Sequence, residues 1–351
     1  MSKLVLIQAL RGLAALAIAL LHARHEAGLL AGGPAPASVV PWAAGVDVFF
    51  VISGFIMVHA SGRLFEAPGA RPVFLARRVA RIVPLYWAVT SLYLLIALAA
   101  PALLNSEWLK PWPVLASFLF IPFARPDGLV QPLYSLGWTL NYEMAFYVLF
   151  ALVLPWARRS AVLVLIGLLV ALAILGRAAS LPQPLAFWTS PIILEFAFGL
   201  AIGLLRAEGV VLGGPARAGL ALAALAGFAL APVGTDAMRA LVWGGPAALL
   251  VAAAALGPDR ALPRNAATRL AIAIGDASYA LYLVHPFVIR GLREATGRLG
   301  IEGGGAAFIL VALLAAILAA LAVHRLFERP ATEALRRWLE PDGRLSPAPR
   351  A

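Results

Sequence analysis

Residues 4–22 read LVLIQALRGLAALAIALLH, a nineteen-residue run that is apolar except for Gln8, Arg11, Gly12 and the closing His22. As a helix rising 1.5 Å per residue, such a run covers nearly the whole ~30 Å hydrocarbon core of a bilayer. Arg11 sits in its middle, where the core of a secretory signal peptide is uniformly apolar. The stretch therefore reads as a retained first membrane span.

Apolar runs of similar length recur along the chain, at 43–60, 82–100, 135–156, 161–177, 188–205, 217–233, 238–256, 270–290 and 304–324. Together with the first they predict an all-α bundle of about ten transmembrane helices. Gly and Pro gather between runs, as from Ala31 to Pro36, Gly213 to Pro215 and Gly303 to Gly305, which suits turns. Composition agrees: 62% of residues are hydrophobic and only 13% charged, against about 25% charged in soluble domains. One integral membrane domain over 1–330 accounts for nearly everything, with a short cytoplasmic tail at 331–351. The segment 112–124, which holds Trp112, Pro113 and Pro122, is too short to cross and reads as interfacial or re-entrant.

The net charge of +11 would suggest nucleic acid in a soluble protein. Here the arginines cluster between apolar runs, as the positive-inside bias requires, so nucleic acid is not an expected partner. With the N-terminus inside, nineteen Lys and Arg fall on inner segments and eight on outer ones, with Arg11 within a span. That asymmetry predicts both termini in the cytoplasm. The absence of cysteine excludes disulfides, thiolate metal sites and a cysteine acyl-enzyme. No internal repeat is visible, unlike repeat-built transporters.

Ionisable residues inside spans are costly and usually face the bundle interior with a partner. Four places stand out. Arg11 and His22, eleven residues apart, share one helix face roughly 16 Å apart along the axis, with Gln8, Ala15 and Ala19 on the same stripe. Arg11 lies towards the inner side and His22 near the outer surface. Glu143, within Trp138 to Tyr147, falls at a depth between them, where either is a possible partner. A purely structural Arg11–Glu143 pair would explain the same residues. Arg77, Arg78 and Arg81 open the third span on its inner side; Arg77 and Arg81 share a face. They suit phosphate oxygens through guanidinium forks, or they anchor topology. Ser278, Tyr282 and His285 form an i, i+4, i+7 stripe in the ninth span, while Tyr279 reads as interfacial. Asp47 lies at the outer mouth of the second span, placed to orient His22. His25, His59 and His324 lie at span ends and read as interfacial.

These residues resemble the membrane-bound acyltransferase family 3, which includes the O-acetylases of bacterial surface polysaccharides. The resemblance starts with Arg11 and His22, an arginine–ten residues–histidine signature. It continues through Gly45-Val46-Asp47-Val48-Phe49-Phe50-Val51-Ile52-Ser53-Gly54-Phe55, then Phe74, Arg77, Arg78, Arg81, Ile82 and Pro84. Trp138 to Tyr147 is similar to W-S-L-x-x-E-x-x-F-Y, with Thr139 for the serine. Ser278-Tyr279 to His285 and Phe327-Glu328-Arg329-Pro330 complete a series of six in family order. With no appended hydrolase-like domain, the compact form resembles the exopolysaccharide-modifying branch.

The resemblance implies transfer of an acyl group, acetyl above all, from cytoplasmic acyl-coenzyme A to a hydroxyl of a cell-surface or lipid-linked carbohydrate. It implies an enzyme of the inner membrane that uses acetyl-CoA as donor substrate, needs no metal, and works beside polysaccharide biosynthesis machinery. Arg77, Arg78 and Arg81 would meet the donor phosphates. His22, an imidazole with an ordinary pKa near 6.5, would be the general base for the acceptor. Asp47 or Glu143 would fix its tautomer, and Arg11 would counter charge on the thioester oxygen. Trp138, Tyr147, Ser278, Tyr282 and His285 would line the substrate. A covalent acyl-histidine route stays open on these residues. A transporter of a small solute or acylated sugar precursor would also carry an intramembrane Arg, Glu and His.

Overall fold

The computed structural model describes residues 4–33, 38, 40–100, 109–231, 238–258, 265–300 and 305–340. The expected turns at Pro34 to Pro36 and at Gly303 and Gly304, and the tail beyond Glu340, lie outside them. In chain order the helices are α1 (Val5–Leu30), α2 (Gly45–Ala60), α3 (Ala70–Ala99), α4 (Pro111–Phe118), α5 (Trp138–Val153), α6 (Arg158–Ala178) and the short α7 (Leu185–Trp188). There follow α8 (Leu194–Ala207), α9 (Gly214–Leu230), α10 (Arg239–Val242), α11 (Gly244–Ala255), α12 (Ala266–Asp276), α13 (Ser278–Arg298), α14 (Ala306–Val323) and α15 (Arg329–Leu339). No strand occurs among the described residues, only an isolated bridge between Ala124 and Val130.

Each expected span contains helix, with different bounds. Among the described residues six helices are long and apolar enough to cross a membrane, or seven if α12 and α13 count as one bent span, against the ten expected. The chain is an all-helical membrane protein. The first span runs on to Leu30, and α3 begins at Ala70 rather than 82, so the three arginines lie within its opening turns. The segment expected at 270–290 is broken: α12 and α13 meet at 73°. Asn265 opens α12 by accepting a hydrogen bond from the Thr268 backbone N–H at 2.9 Å. A π-turn, His324–Glu328, precedes α15.

The chain divides into two compact units. One comprises residues 1–60 and 166–324, the other 61–165 and 325–351. In the first, α2 and α8 cross with their backbones touching. A Cβ on Gly199 would fall 2.0 Å from the Val51 carbonyl oxygen, and one on Gly54 2.2 Å from that of Phe196. Without a hydrophobic drive between helices in lipid, small residues that admit such approach supply the packing energy. Gly275 of α12 meets the Gln8 backbone of α1 in the same way, at 2.2 Å. Leu10, Val51, Phe55, Ile202 and Val251 fill the core between α1, α2, α8 and α11.

In the second unit Phe74, Tyr147 and Phe150 pack α3 against α5. The interfacial candidate at 112–124 holds most of the two-turn helix α4, tethered to α3. Tyr86 donates to the Ser117 carbonyl at 3.0 Å, and Trp87 Nε1 to that of Phe118 at 2.9 Å. Residues 331–339, read from sequence as the start of a tail, belong to α15, which packs on α3.

Candidate active site

Of the expected reaction centre the first unit brings together His22, His285 and Tyr282; Arg11 and Asp47 lie in the same unit with other partners, and Glu143, Trp138 and Tyr147 lie in the second. His22 of α1 meets His285 of α13, Nδ1 to Nε2, at 2.7 Å. Ala15, Ala19 and Ala23 are fully buried along the same side of α1, and these small residues let α13 close in. Around His285 the expected stripe is present: Ser278, Tyr282 and His285 are all buried. The Ser278 hydroxyl has no hydrogen-bond partner among the described residues. Tyr282 lies between the rings of His285 and Phe49. Tyr279, expected at an interface, is buried too. Arg11 is half-buried, with Nη1 3.4 Å from Gln8 Oε1.

Asp47 is fully buried, but its carboxylate is engaged elsewhere than at His22. Arg239 grips it with a two-bond fork, Nε to Oδ1 at 3.0 Å and Nη2 to Oδ2 at 2.9 Å. The same guanidinium lies over the Trp243 ring, 4.9 Å from its centroid. Beside this pair sits Glu195 of α8, also fully buried, against Gly244. Sequence reasoning passed over Glu195, although an acid in the apolar run 188–205 was a signal of the same kind as Glu143. It also passed over Glu26, one turn beyond His22. Glu26 is buried and pairs with Arg293 at 2.6 Å and Arg290 at 3.4 Å, both on α13. Of the other histidines, His25 is exposed, while His59 is half-buried and stacks on Phe55.

The second unit holds the arginines. Arg77 forms a fork with Glu340, Nε to Oε1 at 3.1 Å and Nη2 to Oε2 at 3.0 Å, which ties α3 to the end of α15. Arg78 lies 5.3 Å from the Phe74 ring centroid and 5.9 Å from that of Tyr147, and its buried Nε has no partner among the described residues. Arg81, one turn after Arg77 on α3, is half-buried. Glu143 accepts a hydrogen bond from the Tyr147 hydroxyl one turn along α5. Trp138, at the start of α5, packs edge-on against Tyr142. Asn141 is buried between them in sequence, with neither amide atom partnered among the described residues. No group of three or more His, Asp or Glu among the described residues is arranged to hold a metal ion.

Residues 5–325 match a protein-family model described as an acyltransferase domain. The exopolysaccharide production protein ExoZ of Rhizobium meliloti (strain 1021) is 40% identical over 296 residues, 82% of this chain and 89% of the relative. The acyltransferase MdmB of Streptomyces mycarofaciens is 30% identical over 325 residues, 83% of this chain and 81% of the relative. A shorter match, 38% over 85 residues, links the chain to protein 2 in the picA locus of Rhizobium radiobacter. No solved structure matches.

Proposed function

The chain belongs to acyltransferase family 3 and is an acyltransferase, and from that premise we propose that it moves an acetyl group from acetyl-coenzyme A to a carbohydrate hydroxyl. The observation that carries the reading is the 2.7 Å contact of His22 with His285 among buried polar side chains of a membrane helix bundle. An ionisable side chain among membrane-spanning helices is costly to place and by default marks a functional site. General base catalysis is the use that imidazole serves best near neutral pH.

His22 takes the proton of the acceptor hydroxyl as its oxygen bonds to the thioester carbonyl carbon. The C–S bond then breaks, and the thiolate leaves as coenzyme A with the proton returned from His22. Arg11, about 16 Å from His22 along α1 and turned towards Gln8, meets negative charge on the donor nearer the inner side. An acyl-histidine intermediate would employ the same residues in two steps. Arg77, Arg78 and Arg81 serve the donor phosphates. The buried, unpartnered Nε of Arg78 supports that role best, because a fully desolvated guanidinium donor favours an anionic acceptor. Asp47 acts by holding α2 to α10 through Arg239, and Glu143 orients the Tyr147 hydroxyl within α5. Trp138 and Tyr147 of the second unit, and Ser278 and Tyr282 of the first, are the residues assigned to substrate.

The relative named for exopolysaccharide production supports a polysaccharide or its lipid-linked precursor as acceptor. The basic-residue asymmetry supports both termini in the cytoplasm and the donor arginines on the cytoplasmic side of the inner membrane. Of about ten apolar runs over residues 1–330, six or seven correspond to helices long and apolar enough to span among the described residues. Polysaccharide biosynthesis enzymes are then natural partners. The test is His22→Gln, which keeps reach and polarity but cannot titrate. With purified protein in detergent, kcat for acetyl transfer should fall about 10²–10⁴-fold with donor affinity nearly intact. Retention of more than about a tenth of kcat lies outside that range and removes His22 as the base.

A further inference from the structure

His285 lies on the polar stripe expected to line substrate, yet its ring nitrogens face protein groups. Nδ1 lies 2.9 Å from the carbonyl oxygen of Leu281, one turn back on α13, and Nε2 lies 2.7 Å from His22 Nδ1. The two rings are inclined by only 16°, with centroids 4.9 Å apart. A 2.7 Å nitrogen–nitrogen contact plus one ring radius at each end gives that separation. The rings therefore meet edge to edge, close to a plane, as an N–H···N hydrogen bond requires.

The hydrogens follow from what each group can do. A carbonyl oxygen only accepts, so His285 Nδ1 carries the hydrogen that it donates to Leu281. In neutral His285 the lone pair then sits on Nε2 and faces His22 Nδ1. One hydrogen must lie between the two nitrogens, and it belongs to His22 Nδ1. In neutral His22 that leaves the lone pair on Nε2, the ring atom turned away from His285. The network thus assigns both tautomers from one backbone carbonyl.

We infer that His285 is a positioning residue that fixes His22 as the Nδ1–H tautomer and presents Nε2 as the base. The inference rests on the reading of His22 as the catalytic base and goes beyond it. It replaces the carboxylate that such a ring usually leans on with a neutral imidazole. When the acceptor hydroxyl gives its proton to His22 Nε2, the imidazolium keeps donating through Nδ1 to His285 Nε2, whose lone pair meets the new charge. When the C–S bond breaks, the sulfur takes the proton from Nε2 and the neutral tautomer is restored. Neither step moves the hydrogen between the rings.

The helices hold this register firmly. One turn beyond His22, Glu26 of α1 is gripped by Arg290 and Arg293 of α13, five and eight residues after His285. Ala23, fully buried next to His22, lies within the same α1–α13 contact. A slip of one residue along either helix would break both the ion pair and the histidine contact.

The test uses the full-length chain in detergent with acetyl-coenzyme A and water as the acyl acceptor. The chain has no cysteine, so a thiol reagent reads released coenzyme A without background. His285→Leu should lower kcat by about 10²-fold or more, as wrong-tautomer variants do in histidine-based active sites, while KM for acetyl-coenzyme A stays within about threefold. His285→Gln places a carbonyl oxygen near the position of Nε2 and should restore kcat to within about tenfold of the parent. A folded Leu variant with kcat within about threefold of the parent overturns the inference; so does a folded Gln variant no better than Leu. Should either fail to fold, nitrogen-15 NMR of histidine-labelled parent protein decides, with the His22 signals identified by their loss in His22→Gln. A hydrogen on Nδ1 and a lone pair on Nε2 support the inference, and the reverse pattern ends it. If His22→Gln itself keeps full turnover, the catalytic reading fails rather than the tautomer assignment. If His22→Gln is inactive and His285→Leu is not, only the positioning role falls.

Discussion

Cutting the Asp47–Arg239 fork should unfold the protein more readily than almost any other single substitution. Asp47 is completely buried, and both its carboxylate oxygens are taken by one guanidinium at 2.9 and 3.0 Å. Arg239→Ala strands that carboxylate beside Glu195, a second fully buried acid. Removing one partner of a buried pair costs about 3–5 kcal/mol, most of it from the charge left behind. Asp47→Ala strands the guanidinium instead. The Arg239 side chain keeps 19% of its surface exposed and rests on the Trp243 ring, so the cost should sit near the lower end of that range. Replacing both together, Asp47→Leu with Arg239→Met, leaves no stranded charge and should recover most of the loss. Reversible denaturation in mixed micelles, followed by tryptophan fluorescence, gives the four stabilities. Turnover of the double variant then separates two roles for Asp47. If it acts by holding α2 to α10, acetyl-coenzyme A turnover returns with stability; if it touches the reacting groups, a stable double variant stays inactive. An Arg239→Ala variant within about 1 kcal/mol of the parent would mean that the fork behaves like a solvent-exposed pair, and the argument from burial would fail.

Arg78→Ala should raise the KM for acetyl-coenzyme A by about 10- to 150-fold, the equivalent of the roughly 1.5–3 kcal/mol carried by a hydrogen bond to a charged group; Arg78→Lys should recover only part, since it cannot form the fork, and an unchanged donor KM in both would leave the cluster a topology anchor. Single cysteines at the exposed positions Ser160 and Ser180 test orientation in a chain that has none of its own: a membrane-impermeant maleimide added to intact cells should label the second and spare the first, and the opposite pattern would turn the bundle over.

The bundle was legible because lipid demands long apolar helices, and hydropathy reports that demand directly. The helix ends were not. Ala70 to Arg81 of α3 carries Arg71, Arg77, Arg78 and Arg81, and a window that scores lipid compatibility discards such a segment although its backbone is helical. The break between α12 and α13 hides for the opposite reason, since both arms are apolar enough to read as one run. The α2–α8 crossing depends on Gly54 and Gly199 facing each other. Each is visible as a small residue in its own helix, but their meeting is a tertiary fact that no single span contains.

The polar site divides along the same line. Ser278, Tyr282 and His285 were readable as a stripe because helical spacing alone puts them on one face. The partner of His22 was not, and the error has a physical pattern. Sequence reasoning gave His22 a carboxylate, because carboxylates commonly orient a basic imidazole. In the structure the candidate Glu143 accepts from Tyr147 on its own helix, and other acids go to arginines: the candidate Asp47 to Arg239, the unforeseen Glu26 to Arg293 and Arg290, Glu340 to Arg77. A buried carboxylate gains more from a full positive charge than from a neutral ring. Only sequence separations of 192, 267, 264 and 263 residues link these arginine pairs, so no local pattern could announce them. Once the strong charges have paired with one another, the group left to orient His22 is an uncharged one. It must accept a single hydrogen bond and be anchored by its own backbone, and His285 on the Leu281 carbonyl meets both conditions.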